Sequence, residues 1–293
     1  MSNKLHIVTV ATESKLYFPY LVESCKKNGK SLEVLGYGDE WKGFNWRFKK
    51  MIEYLKKLPQ NDIVCFLDGY DVVCVRNLNE LVPIFLQIKK ETNCKIVVGS
   101  DQHYTILKYW AKITYGECEN KLLNGGNYIG FVKDLLEILE YIHKKNPDDS
   151  NDDQLLLTKH CVVNPKLYYV DTSSRLFLVC TNPFTEVRDV VIIKNDEVYY
   201  NNNRPFFVHA PGGFLDQLII DKGYNYNYNN NYKEEIKQKV LNFSIFNQMK
   251  NGIHFLIPLA LLIIFIIYII YANKKTIDIK MKKIITYIKN KIK

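Results

Sequence analysis

Apolar and polar positions alternate along this chain with two periods, and the period changes where turn residues fall. HIVTVAT (6–12) is a β-branched run of the kind that forms a buried strand, a helical pattern follows over 17–28, and LEVLGYG (32–38) returns to the extended period. A β-α-β opening is therefore predicted. A helix over 46–58 precedes the strand DIVCFLD (62–68), a second over 78–90 precedes KIVVGS (95–100), and a further helical segment spans 133–145. Later runs, KLYYV (166–170), VVIIK (190–194) and FFVHA (206–210), are less regularly separated by helices, which predicts a mixed sheet in that half. The fold class expected is α/β.

The texture changes after about residue 220. GYNYNYNNNY (223–232) is low in complexity and marks the end of a globular domain over 1–232. A linker over 233–252 follows, with a polar juxtamembrane helix predicted over 233–248. IHFLIPLALLIIFIIYIIYA (253–272) carries no charged side chain and is long enough for a hydrocarbon core of about 30 Å, so it is expected to be a transmembrane helix. A buried core helix is the alternative, but too little chain follows to cover it. In the tail over 273–293, Ile277, Met281, Ile284, Ile285, Ile288 and Ile292 recur at helical spacing among lysines, as in a helix lying on an anionic bilayer surface; a solvated basic tail fits the same residues.

Charge enters the picture only once it is located. The formal net charge is +9, and the tail, with eight lysines against Asp278, contributes +7 of it. The globular part is then nearly neutral, and no nucleic-acid partner is expected. Seven cysteines, with no C-x-x-C pair and no His at ligand spacing, argue against zinc and against a disulfide framework; Cys65 and Cys74 read as small core residues in a reducing compartment. The start, MSNKLHIVTVAT, has no long apolar leader and reads as a first strand. That places the domain in the cytosol, whereas the lysine-rich tail, by the positive-inside rule, favours the reverse. The first signal is preferred, giving a membrane protein anchored near its C-terminus with a cytosolic domain.

Candidate chemistry begins at FLDGYDV (66–72), where Asp68 ends an apolar strand and Asp71 follows a Gly-Tyr turn. Ligands bind at the carboxyl ends of strands in open α/β sheets, and two carboxylates there can hold a hard divalent cation. A solvated turn with side-chain caps is the plainer reading of the same four residues. Asn124, Gly125 and Gly126 predict a tight turn where backbone approaches a ligand closely. Asp153 precedes an apolar helical run, and a helix cap would account for one of Asp152 and Asp153 but not both.

VTVAT (8–12), EW (40–41), FLDGYDV, LLNGGNYIG (122–130), NDDQLLLTK (151–159) and HAPGG (209–213) occur in an order that resembles the glycosyltransferase domain of the procollagen lysyl hydroxylase and procollagen glycosyltransferase group, over roughly residues 4–232. The resemblance implies a GT-A type fold, a UDP-sugar donor and Mn2+. It implies Asp68, Asp71 and His209 as metal ligands, and Trp41 and Tyr70 around the uridine with Val10 and Thr12 from the first strand. Arg47 stands where the family has a lysine reaching the phosphates, with Lys49 or Lys50 as alternatives. Gly125, Gly126, Gln154 and Gly212 are implied at the donor, and Asn124, Asp152 and Asp153 near the transferred sugar. Packing roles for Trp41, Tyr70 and His209 remain open from the residues alone.

Two departures bear on function. The polar, lysine-containing loop expected after His209 is here APGGFLDQ (210–217), and the segment after the third core strand is SDQHYTILKYW (100–110), where Trp110 is a loose candidate for the acceptor side. The expected function is transfer of a hexose from a UDP-sugar to the hydroxyl of a glycan or protein acceptor. A binding module without turnover and a membrane scaffold are the competing readings.

Overall fold

The computed structural model describes residues 3–102, 106–181, 186–225, 259–268 and 271. The chain divides into two compact units, Met1–Asn242 and Phe243–Lys293. In the first, β1 (Leu5–Val10), α1 (Phe18–Lys27), β2 (Leu32–Leu35), α2 (Phe44–Leu55) and β3 (Ile63–Asp68) form the opening β-α-β-α-β run, and β4 (Val72–Cys74) follows a tight turn. Then come α3 (Leu81–Thr92), β5 (Ile96–Gln102), α4 (Ile106–Tyr115), β6 (Leu123–Phe131), α5 (Val132–Lys145), α6 (Asp153–Val163), β7 (Tyr168–Asp171) and β8 (Phe177–Cys180). The last elements are β9 (Ile192–Lys194), β10 (Glu197–Tyr199), β11 (Phe207–His209) and α7 (Asp216–Asp221).

Nine strands make one sheet in the order β2-β1-β3-β6-β5-β8-β11-β4, with β7 also on β5. β1 pairs in parallel with β2 and β3, while β6 runs antiparallel to both β3 and β5, and β4 antiparallel to β11. The sheet is mixed, as expected. Its strands are apolar on both faces because both faces are covered. Along β3, Val64 and Phe66 pack with Phe48 and Met51 of α2, whereas Ile63, Cys65 and Leu67 pack with Leu21 of α1 and Phe85 of α3. The two-residue period then sets Asp68 on the α2 side.

Three expectations are corrected. Asn124, Gly125 and Gly126 lie within strand β6, not in a turn. The strand is irregular there: opposite β5, Val98 pairs with Tyr128 while the next residue, Gly99, pairs with Asn124, so 125–127 are set off the ladder as a bulge. VVIIK does not join the main sheet; β9 pairs with β10 alone through Asn195 and Asp196, both at positive φ (52° and 60°), a pair suited to a two-residue hairpin turn. A disulfide is present between Cys118 and Cys161, with Cα atoms 5.8 Å apart. The fold brings together two cysteines 43 residues apart, which spacing could not reveal. Cys25, Cys65, Cys74, Cys94 and Cys180 are free and buried, as small core residues.

In the second unit, residues 259–268 are helical, with Leu261, Ile264 and Phe265 about three-fifths exposed. Among the described residues no helix is long and apolar enough to cross a membrane. The remainder of the 253–272 span, the 233–248 helix and the 273–293 tail lie outside the described residues.

The disulfide ties the segment before β6 to α6 and closes a loop of the size for which the chain-entropy account gives about 2–4 kcal/mol. Cys161→Ser is expected to lower the melting temperature by roughly 5–15 °C, and non-reducing peptide mapping should recover Cys118 linked to Cys161 in the native chain. A free Cys118 thiol in native protein, or an unchanged melting curve, would contradict it.

Candidate active site

β3 ends at Asp68, and Gly69-Tyr70-Asp71 carries the chain to β4 at the far edge of the sheet. β4 runs antiparallel to β11 with Val72 opposite His209, and the Ala210 amide donates to the Asp71 carbonyl at 2.9 Å. This pairing delivers His209 to the two aspartates. One ligand atom from each of Asp68, Asp71 and His209 can be chosen so that all three lie within 4.8 Å of one another. His209 Nε2 approaches Asp71 Oδ1 to 2.9 Å, yet both atoms are buried and neither makes a hydrogen bond, since the contact satisfies the distance but not the angles. Two carboxylates and an imidazole this close together, with Asp71 Oδ1 and His209 Nε2 unsatisfied, form a donor set that fits a divalent metal.

Arg47 of α2 sits behind this cluster and is 4% exposed. Its NH1 donates to Asp68 Oδ2 at 2.8 Å, and its Nε and NH2 donate to Asp153 Oδ2 at 2.9 and 2.5 Å. Burial works against its charge, but Asp153 and Asp68 outweigh burial and hold it protonated. Burial also pushes Asp68 up, and Arg47, then His209, pull it below the usual carboxylate range. Asp71 is raised, first by burial and then by Asp68, against the pull of His209. Burial pushes Asp153 up to about 7 against Arg47, with Asp152 and Asp68 adding to the rise. Burial lowers and the carboxylates of Asp71 and Asp68 raise the His209 imidazole, with a net rise. One guanidinium thus pairs with Asp68 and Asp153 while Asp71 stands beside them, so three buried or half-buried carboxylates share one guanidinium, an excess of negative charge that a cation would relieve.

Beside the cluster opens a cleft of about 580 Å3 lined by Val10, Thr12, Glu13, Lys15, Leu16, Asp39, Trp41, Phe44, Arg47, Asp68 and Tyr70. Five predicted donor residues, Val10, Thr12, Trp41, Arg47 and Tyr70, meet here with the predicted metal ligand Asp68. Trp41 is 41% exposed, and its ring is propped edge-on by Phe44 at 5.4 Å and Trp46 at 5.8 Å. The Tyr70 hydroxyl accepts the Thr12 amide at 2.9 Å and fixes the loop after β1. Lys15 lies over the Tyr70 ring at 5.2 Å and pairs with Glu13. Glu13, Lys15, Leu16, Asp39 and Phe44 escape a reading of the sequence, because no pattern marks loop residues that only the fold sets around one cavity.

On the inner side, the β6 bulge packs against the start of α6 and the end of β11. A Cβ on Gly125 would lie 2.8 Å from Gln154 Cα, and one on Gly126 would lie 2.6 Å from His209 Cε1. Both positions require glycine through close approach of neighbouring protein atoms. Gln154 Oε1 accepts the Gly125 amide at 3.2 Å, and its Nε2 donates to Asp101 at 3.0 Å. Asp101 also accepts from Asn124 at 3.3 Å and from Thr181 at 2.7 Å. Asp101 is hidden from the sequence because it stands where SDQHYTILKYW departs from the resembled pattern. Asp152 is the α6 N-cap, accepting the Leu155 amide at 2.9 Å, and Asp153 is buried on Arg47, so the pair divides into a cap and an ion-pair partner. Gly212 stands apart, at φ 66° in the turn closed by Gly213 N donating to Ala210 O at 2.9 Å. The Trp110 side chain lies outside the described residues.

Residues 1–236 match the PLOD GT domain. The chain is 27% identical over 247 residues to the procollagen-lysine,2-oxoglutarate 5-dioxygenase of Drosophila melanogaster, covering 77% of this chain and 32% of that protein. It is 27% identical over 242 residues to the human multifunctional procollagen lysine hydroxylase and glycosyltransferase LH3, covering 73% and 30%. The chain spans about a third of the length of these curated relatives. Among solved structures, apo mouse xyloside xylosyltransferase 1 aligns at a TM-score of 0.41 with 11% identity, over 71% of this chain and 97% of that one. A galactosyltransferase LgtC bound to donor and acceptor sugar analogs aligns at 0.40 with 14% identity, over 70% and 86%. With the family match extending over most of its length, the chain belongs to the PLOD GT domain family of glycosyltransferases.

Proposed function

We propose that this chain transfers a hexose from a UDP-sugar to a hydroxyl of a protein or glycan acceptor, with Mn2+ held by Asp68, Asp71 and His209. The observation that carries the reading is the set of buried, unsatisfied ligand atoms of Asp71 and His209 beside Asp68, which itself lines a cleft walled by an exposed tryptophan. The ion, when bound, supplies positive charge against that developing on the diphosphate leaving group. Trp41 offers a ring face for the uracil, and Tyr70 holds the loop of Thr12 in place beside it. Arg47 orients Asp68 for the ion by a hydrogen bond to its Oδ2. Asp153, drawn to Arg47, sets the start of α6 against the β6 glycines, where Gln154 and Asn124 face the sugar side. Binding without turnover is the second reading. It is favoured by APGGFLDQ, which puts no cation after His209, and by the commitment of Arg47 to two carboxylates.

We further propose that residues 253–272 attach the chain to a bilayer, with the basic tail beside them. The cytosolic placement expected for the domain weighed against the lysine-rich tail, and the Cys118–Cys161 bond adds weight to the tail's side: an oxidising compartment for the domain and a cytosolic tail.

Hydrolysis and transfer assays over a panel of UDP-sugars with Mn2+ test the enzymatic reading, and UDP binding without turnover would favour the module. Asp71→Asn is expected to cut turnover by at least about a hundredfold, since a lost metal ligand removes several kcal/mol of transition-state stabilisation; wild-type turnover would reject the metal assignment. Trp41→Ala is expected to raise the donor KM roughly 5- to 100-fold with kcat nearly unchanged, because stacking is made equally in ground and transition states. An unchanged KM would return Trp41 to packing. The full chain should float with lipid vesicles and a version ending at Gly252 should not; co-flotation of the truncated version would defeat the anchor.

A further inference from the structure

Asn127 is fully buried in β6, in the residues the bulge sets off the β5 ladder, and is paired in register with Leu67, next to Asp68. Its Nδ2 lies 2.7 Å from His209 Nδ1, while its Oδ1 is buried with no hydrogen-bond partner. In that arrangement the amide donates to Nδ1, so a neutral His209 carries its proton on Nε2. That is the nitrogen facing Asp71 at 2.9 Å, and a protonated Nε2 cannot ligate. Rotating the amide half a turn about its last bond exchanges Oδ1 for Nδ2 at the same place. Oδ1 then accepts from a proton on Nδ1, and Nε2 is left with its lone pair toward the two aspartates. The ring remains neutral throughout: one proton leaves Nε2, one is gained at Nδ1, and none is gained or lost overall.

We infer that Asn127 is a positioning residue that fixes the His209 tautomer, turning its amide so that Oδ1 accepts the Nδ1 proton and Nε2 is free to hold the divalent ion. The inference rests on the metal reading of Asp68, Asp71 and His209 and deepens it. A carbonyl or carboxylate on the remote nitrogen of a ligating imidazole both orients the ring and raises its basicity, and loss of such a partner typically costs 10–100-fold in metal affinity. A space-filling role would require only an apolar side chain of similar size. It would leave no reason for a buried amide with one end unsatisfied against the imidazole.

The test uses the full chain in detergent with Mn2+ as the probe, free ion being read by electron paramagnetic resonance without any donor sugar. Asn127→Leu is expected to weaken Mn2+ binding about 10- to 100-fold, whereas Asn127→Asp, which keeps an acceptor for the Nδ1 proton, should bind at least as tightly as wild type. Nitrogen-15 shifts of His209 should report a proton on Nε2 in the metal-free chain and on Nδ1 once diamagnetic Cd2+ is added. If wild type binds Mn2+ and the leucine variant binds it equally, the inference fails and the metal reading stands. Tenfold or greater weakening by the aspartate variant likewise overturns the tautomer role, and serves where the leucine variant does not fold. If wild type itself shows no Mn2+ binding, the metal reading fails and the inference with it.

Discussion

A buried guanidinium without partners would be expelled from the interior, and two buried carboxylates without one would repel each other; Arg47, Asp68 and Asp153 solve both problems together. The three side chains come from α2, β3 and α6, so the ion pairs also fix how the helical layer sits on the sheet edge. Removing one member of such a buried group costs about 3–5 kcal/mol, since the charge left behind is uncompensated. The interaction is better understood as a specifier of geometry than as a source of stability. It holds Asp68 at the cleft and brings the first turn of α6 against the β6 glycines.

The sheet supplies what the ion pairs cannot. A regular β6 would continue its ladder with β5 past Val98, and the residues opposite would alternate evenly between faces. Setting 125–127 off that ladder breaks the alternation at the level of Asp68 and lets Asn127 meet His209 from the neighbouring part of the sheet. Gly125 and Gly126 make the bulge compatible with its surroundings, since a methyl group at either would collide with Gln154 or His209. Bulges next to ligand sites redirect side chains in this way.

Much of this is legible in the residues, and the illegible part has a physical pattern. β1, β3, β5 and the helices between them follow hydrophobic periods, because a doubly covered sheet demands apolar side chains on both faces. Asp68 and Asp71 are legible because a carboxylate at the end of such a strand is conspicuous. The start of β6 reads as a turn, since two adjacent glycines look like one whether they serve a turn or a close contact. β8 passes unnoticed although turn residues, Thr172-Ser173-Ser174 and Thr181-Asn182-Pro183, bound LFLVC. Arg47 is recognisable as a site residue, but its partners lie 21 and 106 residues away, and no spacing rule connects them. The Cys118–Cys161 bond and the Asp101 hub fail to show for the same reason: each is a long-range meeting set by topology.

The loop after β11 shows how one substitution of chemistry shifts work elsewhere. Residues 210–215 are apolar or small, and their end is clamped from α1's approach: the Tyr17 hydroxyl accepts the Leu215 amide at 3.1 Å and donates to Asp216 at 2.5 Å. With Tyr17 fully buried, that clamp holds the backbone of the loop without placing a cation on it. On the function proposed above, a diphosphate must nevertheless be neutralised in the cleft. Arg47 is spent on Asp68 and Asp153, which leaves Lys15, paired with the exposed Glu13, as a cation on the cleft wall able to exchange its partner for a phosphate. A lysine on a flexible stem is a point charge without the fork geometry that fixes a phosphate in two places. On that proposal most of the neutralisation would fall to an ion held by Asp68, Asp71 and His209, and the tautomer of one histidine would then govern how well the site holds it.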